Sequence, residues 1–130
     1  MKTPIAPFAG SPPALGPYSL GVVAEGKFVF VSGMLPFNPA AEKIERGTVE
    51  EQTELVLNNI KNVLEAGGAT LANVVSCRVY LSNLTPENFQ AMNGVYAKFF
   101  GEAKPARATI GCQILNADVE IECVAVLPGN

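Results

Sequence analysis

Residues Thr48 to Ala66 constrain this chain most, because they read as one long amphipathic helix with both ends marked. Val49, Val56, Leu57, Ile60, Val63 and Leu64 recur at helical spacing. Thr48 and Glu51 make a capping box, and Gly67-Gly68 supplies the stop. Such a helix must bury its stripe against another layer, and the flanking segments predict that layer. Lys27 to Ser32 reads as a strand, and so does Val74 to Leu81 with its β-branched content. Thr85-Pro86-Glu87 starts a second helix, with Thr as N-cap, Pro at the first helical position and Phe89, Met92, Tyr96 and Phe99 on its apolar face. Two more strands are predicted at Arg107 to Ile114 and Val119 to Leu127, joined through a turn at Leu115 to Asp118.

The order strands, helix, strand, helix, strands predicts a single domain over residues 1–130: a two-layer α+β fold with both helices on one face of a four- to six-stranded sheet. Residues 1 to 17 carry five prolines, so they form a non-helical lead without the apolar run of a secretory signal. Pro36 and Pro39 bracket a second turn region. Three cysteines without CxxC spacing suit a reducing compartment, which makes the cytoplasm the expected location.

Charged residues are only 16% of the chain and hydrophobic residues 48%, more apolar content than one small domain can bury alone. An oligomer is expected. The net charge of -3 is the wrong sign for gripping phosphate backbones, which makes nucleic acid an improbable partner. The absence of His removes His-based triads, His general bases and HExxH zinc sites, and Asp118 as the one Asp removes multi-Asp cation loops. No metal and no cofactor are expected. Gly21 to Lys27 matches GxxxxGK but continues into a strand with Phe28 where Ser or Thr is required, so it is no phosphate loop. Cys77, Cys112 and Cys123 each fall on the apolar parity of a strand and read as core thiols.

Strand parity describes the sheet face that the helices leave open. Along the Arg107 strand, Ala108, Ile110, Cys112 and Ile114 oppose Arg107, Thr109, Gly111 and Gln113. Along the last strand, Ile121, Cys123, Ala125 and Leu127 oppose Glu120, Glu122, Val124 and Val126. Carboxylates mixed with valines predict a face buried against another subunit, with a polar pocket in it. Arg107 beside Thr109 suits two-pronged capture of a carboxylate, and Glu122 on a neighbouring strand suits holding a water. A structural ion pair of Arg107 with Glu120 or Glu122 is the competing reading.

Gly16-Pro17-Tyr18-Ser19, Val31-Ser32-Gly33, Asn93-Gly94-Val95-Tyr96, Pro105-Ala106-Arg107 and Asp118-Val119-Glu120-Ile121-Glu122 resemble, in order and spacing, the motifs of the Rid (YjgF-type) family of enamine/imine deaminases. The resemblance implies a chorismate-mutase-like homotrimer with pockets at the subunit interfaces. It implies that Arg107 binds a substrate carboxylate with help near Gly33 and Thr109, that Tyr18, Ser32, Asn93 and Glu122 line the same pocket, and that Glu122 orients water. It also implies hydrolysis of 2-aminoacrylate-type enamines and imines from pyridoxal-phosphate dehydratases to 2-keto acids and ammonia. A non-catalytic 2-keto-acid-binding or partner-regulating trimer is the alternative, followed by an RNA-cleaving translation inhibitor. Thr109 stands where many members have Cys, and Met34 where Gln is frequent.

Overall fold

The computed structural model describes residues 1–129. Its strands are β1 (Lys2–Pro4), β2 (Val22–Ala24), β3 (Phe28–Met34), β4 (Phe37–Asn38), β5 (Lys43–Ile44), β6 (Val74–Leu81), β7 (Ala106–Gly111) and β8 (Val119–Val126). Its helices are α1 (Val49–Ala66) and α2 (Pro86–Phe100). The main sheet has the order β3-β8-β6-β7. Within this sheet β6 and β7 form the parallel pair, because α2 returns the chain across the sheet between them, and a parallel pair needs such a crossover.

Both expected caps form. The Thr48 side chain accepts from the Glu51 N–H while the Glu51 carboxylate accepts from the Thr48 N–H, and Thr85 accepts from the Asn88 N–H with Pro86 following it. Val56, Leu57, Ile60 and Leu64 of α1 and Met92, Tyr96 and Phe100 of α2 are buried against Val79, Leu81, Val119, Ile121, Cys123 and Ala125 of the sheet. The opposite sheet face carries no helix, and Phe28, Phe30 and Ile110 stand exposed on it, Phe30 at 76%.

Three details differ from the sequence reading. The proline-rich lead contributes β1, which pairs with β2, and the region after Pro36 folds into the β4–β5 hairpin. Strand β7 ends at Gly111 rather than Ile114, because its partner β6 ends at Leu81, which is opposite Gly111. Cys112 therefore lies beyond the strand and is exposed, whereas Cys77 and Cys123 are buried as expected.

Asp118 does more than close a turn. Its carboxylate accepts from Ser82 Oγ (2.7 Å), Arg46 Nη2 (2.8 Å) and Gln52 Nε2 (2.9 Å), while its own N–H donates to Gln52 Oε1 (2.8 Å). The ends of α1, β6 and β8 meet there. Hydrogen bonds from Gln52, then Ser82 and Arg46, hold the Asp118 carboxyl down to about 2. A carboxylate more acidic when folded stabilises the fold fully above its unfolded value, near pH 4, and that contribution is lost as pH falls toward 2. Asp118→Asn should cost about 1–2 kcal/mol at pH 7, a figure reduced for solvent screening at a partly exposed site. Urea unfolding at pH 7 and near pH 2 checks this, since the gap between variant and wild type should close in acid.

Candidate functional site

The Arg107 side chain projects from the helix-covered face of the sheet at its β7 edge. The register sets this, since Arg107 is opposite Cys77 and Thr109 is opposite Val79, both core residues. Around the guanidinium lie three aromatic rings, with centroids at 4.8 Å (Tyr96), 5.2 Å (Tyr18) and 5.6 Å (Phe89). Cations are attracted to ring faces at this range. Its one side-chain hydrogen-bond partner among the described residues is the weak acceptor Met92 Sδ, 3.8 Å from Nη1. No carboxylate neutralises it among the described residues, whose two ion pairs are Arg46–Asp118 and Arg78–Glu122.

The residues around it come from three places. Asn93, Met92 and Tyr96 come from α2, and Thr109 from β7 itself. Tyr18 is delivered by the chain before β2, which is tied to the start of β7 where Ser19 N–H donates to Pro105 O (3.0 Å) and Ser19 Oγ donates to Lys104 O (2.5 Å). The Tyr18 hydroxyl accepts from Leu15 N–H at 2.9 Å, fixing the ring. Gly16 approaches both side chains closely: a Cβ there would lie 2.7 Å from Arg107 Nη2 and 3.2 Å from Asn93 Nδ2, so the guanidinium would have to shift. Those distances also place the Asn93 amide beside the guanidinium.

Among the described residues three buried polar atoms have no hydrogen-bond partner, namely Asn93 Oδ1, Tyr96 OH and Thr109 Oγ1. All three belong to residues that surround Arg107. Buried polar atoms are nearly always paired, so this concentration around an unneutralised cation marks a site shaped for a small polar anion. Burial pulls the Arg107 guanidinium below its ordinary value, with the two tyrosines acting in the other direction. It stays charged, as arginine does throughout the accessible range.

The remaining predicted residues lie elsewhere. Ser32 and Gly33 are on β3, at the opposite edge of the sheet from β7. Three strand spacings, about 14 Å, separate those edges. Glu122 projects from the open face, where it pairs with Arg78 Nη1 at 3.0 Å and helps line a cavity of about 360 Å³ with Phe30, Ser32 and Val124. Arg107 and Glu122 therefore lie on opposite faces, and within one chain neither the shared pocket nor an Arg107–Glu122 ion pair exists. The reason is phase: in β7 it is Ala108 and Ile110, opposite Arg78 and Tyr80, that share the face of Glu122.

Sequence reasoning names Glu120 only as a possible ion-pair partner of Arg107. A register shift interrupts the β3–β8 pairing between Val31 and Met34, so Ser32 and Gly33 bulge out of the ladder. The Glu120 side chain occupies the resulting space, where a Cβ on Gly33 would overlap its carboxylate. Glu120 has no ion-pair partner among the described residues. Met34 packs partly buried against the core, opposite Ile121. No group of three or more His, Cys, Asp or Glu side chains could hold a metal among the described residues. Among the described residues no helix is long and apolar enough to cross a membrane.

The sequence profile described as Endoribonuclease L-PSP matches residues 8–127. The chain belongs to that family, the Rid family. A RutC family protein of Pyrococcus abyssi is 43% identical over 116 residues, 89% of each chain. The Rid chain is also 42% identical to the chloroplastic Reactive Intermediate Deaminase A of Arabidopsis thaliana over 119 residues, which is 90% of this chain and 62% of that protein. Among solved structures, RidA of a Psychrobacter species is similar with a TM-score of 0.72 and 34% identity, over 93% of this chain and 97% of that one. A Rid family protein of Yersinia pestis has a TM-score of 0.85 at 31% identity, over 97% and 98%.

Proposed function

We propose that this chain hydrolyses 2-aminoacrylate-type enamines, through their imine tautomers, to 2-keto acids and ammonia, and that it does so as a homotrimer with the site between subunits. One observation carries the reading: a charged, half-buried guanidinium without an anionic partner among the described residues, ringed by unpaired polar groups on Asn93, Tyr96 and Thr109, the two hydroxyls being able to donate to an anion. An α-keto or α-imino carboxylate supplies the missing anion. Likeness to a reactive intermediate deaminase supplies the reaction class.

In this reading Arg107 takes the two carboxylate oxygens with its fork, and the Asn93 amide and Thr109 hydroxyl fix the rest of the substrate. Water attacks C2 of the imine, passing its proton to a carboxylate. The carboxylate returns that proton to the nitrogen to give the carbinolamine, whose hydroxyl proton then passes through the same carboxylate to the nitrogen as the C–N bond breaks, leaving the keto carbonyl and ammonia. The chemistry needs no thiol, so Thr109 in place of Cys is no obstacle. Substrates of this kind are released by pyridoxal-phosphate dehydratases.

We assign the carboxylate to Glu120 rather than Glu122. Glu122 is already engaged by Arg78, while Glu120 rests on the Gly33 bulge with no cation beside it. Because the sheet separates it from Arg107 in one chain, a neighbouring copy must bring its open face against the Arg107 edge. The exposed Phe28, Phe30 and Ile110 give that contact its apolar surface. The number three follows from the family resemblance.

Ammonia release from imines generated in place by a coupled dehydratase tests the activity, and sedimentation at micromolar concentration tests the assembly. Turnover by a trimer supports the reading. A trimer that binds pyruvate without turnover would make the protein a 2-keto-acid binder, and a fully active monomer would remove the shared site. Salt-sensitive RNA cleavage, the activity in the family's name Endoribonuclease L-PSP, is disfavoured by the net charge of -3 and the absence of His.

A further inference from the structure

Beneath Arg107 the sheet carries a row that the proposed reaction does not use. Cys123 on β8 is directly opposite Cys77 on β6, and Cys77 is directly opposite Arg107 on β7. All three side chains project toward the helices, and the two thiols are 3% and 1% exposed. Directly opposed residues on antiparallel strands have Cα atoms about 4.5–5.5 Å apart, inside the span of about 4.4–6.8 Å that a disulfide bridges. A bond between the two sulfurs therefore requires side-chain rotation and little movement of the backbone.

The pair is also asymmetric. Burial opposes ionisation of Cys77, but the Cys123 thiol, the Tyr96 hydroxyl and the Arg107 charge outweigh it and make Cys77 the more acidic of the two. The neighbouring Cys77 sulfur, together with burial, keeps Cys123 protonated. One sulfur is set up as nucleophile and the other as resolving thiol. Tyr96 links them to the site. Its ring lies 4.8 Å from the Arg107 guanidinium and 4.5 Å from the Phe100 ring, and its hydroxyl approaches Cys77 without a well-aligned hydrogen bond.

We propose that Cys77 and Cys123 form an oxidation-sensitive dithiol, which hydrogen peroxide closes to a disulfide, and that closure weakens 2-keto-acid binding at Arg107 by turning Cys77 away from Tyr96. Peroxide is the oxidant because it is small enough to reach a buried sulfur. The Cys77 thiolate attacks one peroxide oxygen, breaking the O–O bond to give a sulfenic acid and hydroxide. The Cys123 sulfur then attacks the sulfenic sulfur, the S–S bond forms and the S–O bond breaks. Two thiols lose two electrons and two protons in total, and the peroxide becomes two waters. The binding half of the proposal rests on Arg107 as the carboxylate site, whereas the bridge itself does not.

The experiment uses the full chain with Cys112→Ser, which leaves Cys77 and Cys123 as the only thiols. After peroxide, unfolding and alkylation, the expected result is a mass loss of about 2 Da without alkylation, and a linked peptide containing both residues. Near-UV circular dichroism of the tyrosines should change, pyruvate affinity should fall about tenfold, and dithiothreitol should restore both. With Cys123→Ala added, untreated turnover and affinity should stay within about twofold of the parent, and the tyrosine signal and affinity should no longer respond to peroxide. Two freely alkylated thiols after peroxide, or oxygen added without a bridge, would overturn the proposal. A bridge that leaves the tyrosine signal and the affinity unchanged overturns the coupling. If the reduced protein fails to bind pyruvate, the reading of Arg107 fails instead, and peptide mass and tyrosine signal still decide the dithiol and its link to Tyr96.

Discussion

Arg107→Ala should lower imine turnover by about 10²–10⁴-fold, because it removes two charge-assisted hydrogen bonds worth about 1.5–3 kcal/mol each in a partly buried site. The loss should appear in pyruvate affinity as well as in rate, since the same fork holds ground state and product. The fold should survive: Arg107 has no ion-pair partner to orphan, and its removal relieves the burial of a charge. Circular dichroism and sedimentation would check that the fold and the assembly are unchanged. Arg107→Lys should recover little. One ammonium cannot engage two oxygens, and the slot between Tyr18, Phe89 and Tyr96 favours a delocalised planar cation over a strongly hydrated one. Wild-type turnover in Arg107→Ala would remove the central claim.

How far the sequence carried depends on whether a feature is local. The helices were legible because their signals are short-range: Thr48 with Glu51 at one start, Thr85 with Pro86 at the other, and apolar residues three and four apart between. The site was legible only as a set of residues. Alternation along residues 107 to 111 separates Ala108 and Ile110 from Arg107 and Thr109 correctly, but it cannot say which set meets the helices. Apolar residues would ordinarily be assigned inward. Here the pairing of Cys77 with Arg107 decides otherwise, and pairing is a long-range property. The Arg is accepted on the inner face because α2 and the Tyr18 segment wall it with rings at the sheet edge, while Ile110 is left at 41% exposure on the outer face. Asp118 illustrates the same limit, since three donors from distant segments converge on a residue whose own neighbourhood suggests only a turn. One local signal for Glu120 was present. A Gly inside a strand pattern suggests a bulge or a close approach, and Gly33 is both.

Glu120→Gln should lower turnover by about 10²-fold or more while leaving pyruvate affinity within about threefold, because general-base assistance is worth about 10²–10⁴ and the amide keeps the shape. Glu122→Gln should be much milder, within about fivefold. Parity alone cannot separate the two glutamates, which share a strand face two residues apart. Their partners do. Breaking the Glu122–Arg78 pair removes a half-exposed contact of the kind worth about 0–1 kcal/mol, and frees an Arg on a face that has room for it. Glu120 is held by steric contact with the bulge instead, with its carboxylate free to accept a water proton. Gly33→Ala should therefore behave like Glu120→Gln in rate, since the added methyl would push the carboxylate out of place without touching its chemistry. Two results would sink this assignment. If Glu122→Gln loses rate and Glu120→Gln does not, water is positioned from the Arg78 side of the face, and the ion pair there must open in the proposed assembly. If both lose affinity without losing rate, the carboxylates serve the subunit contact, and Arg107 with its orphaned neighbours is the whole of the site.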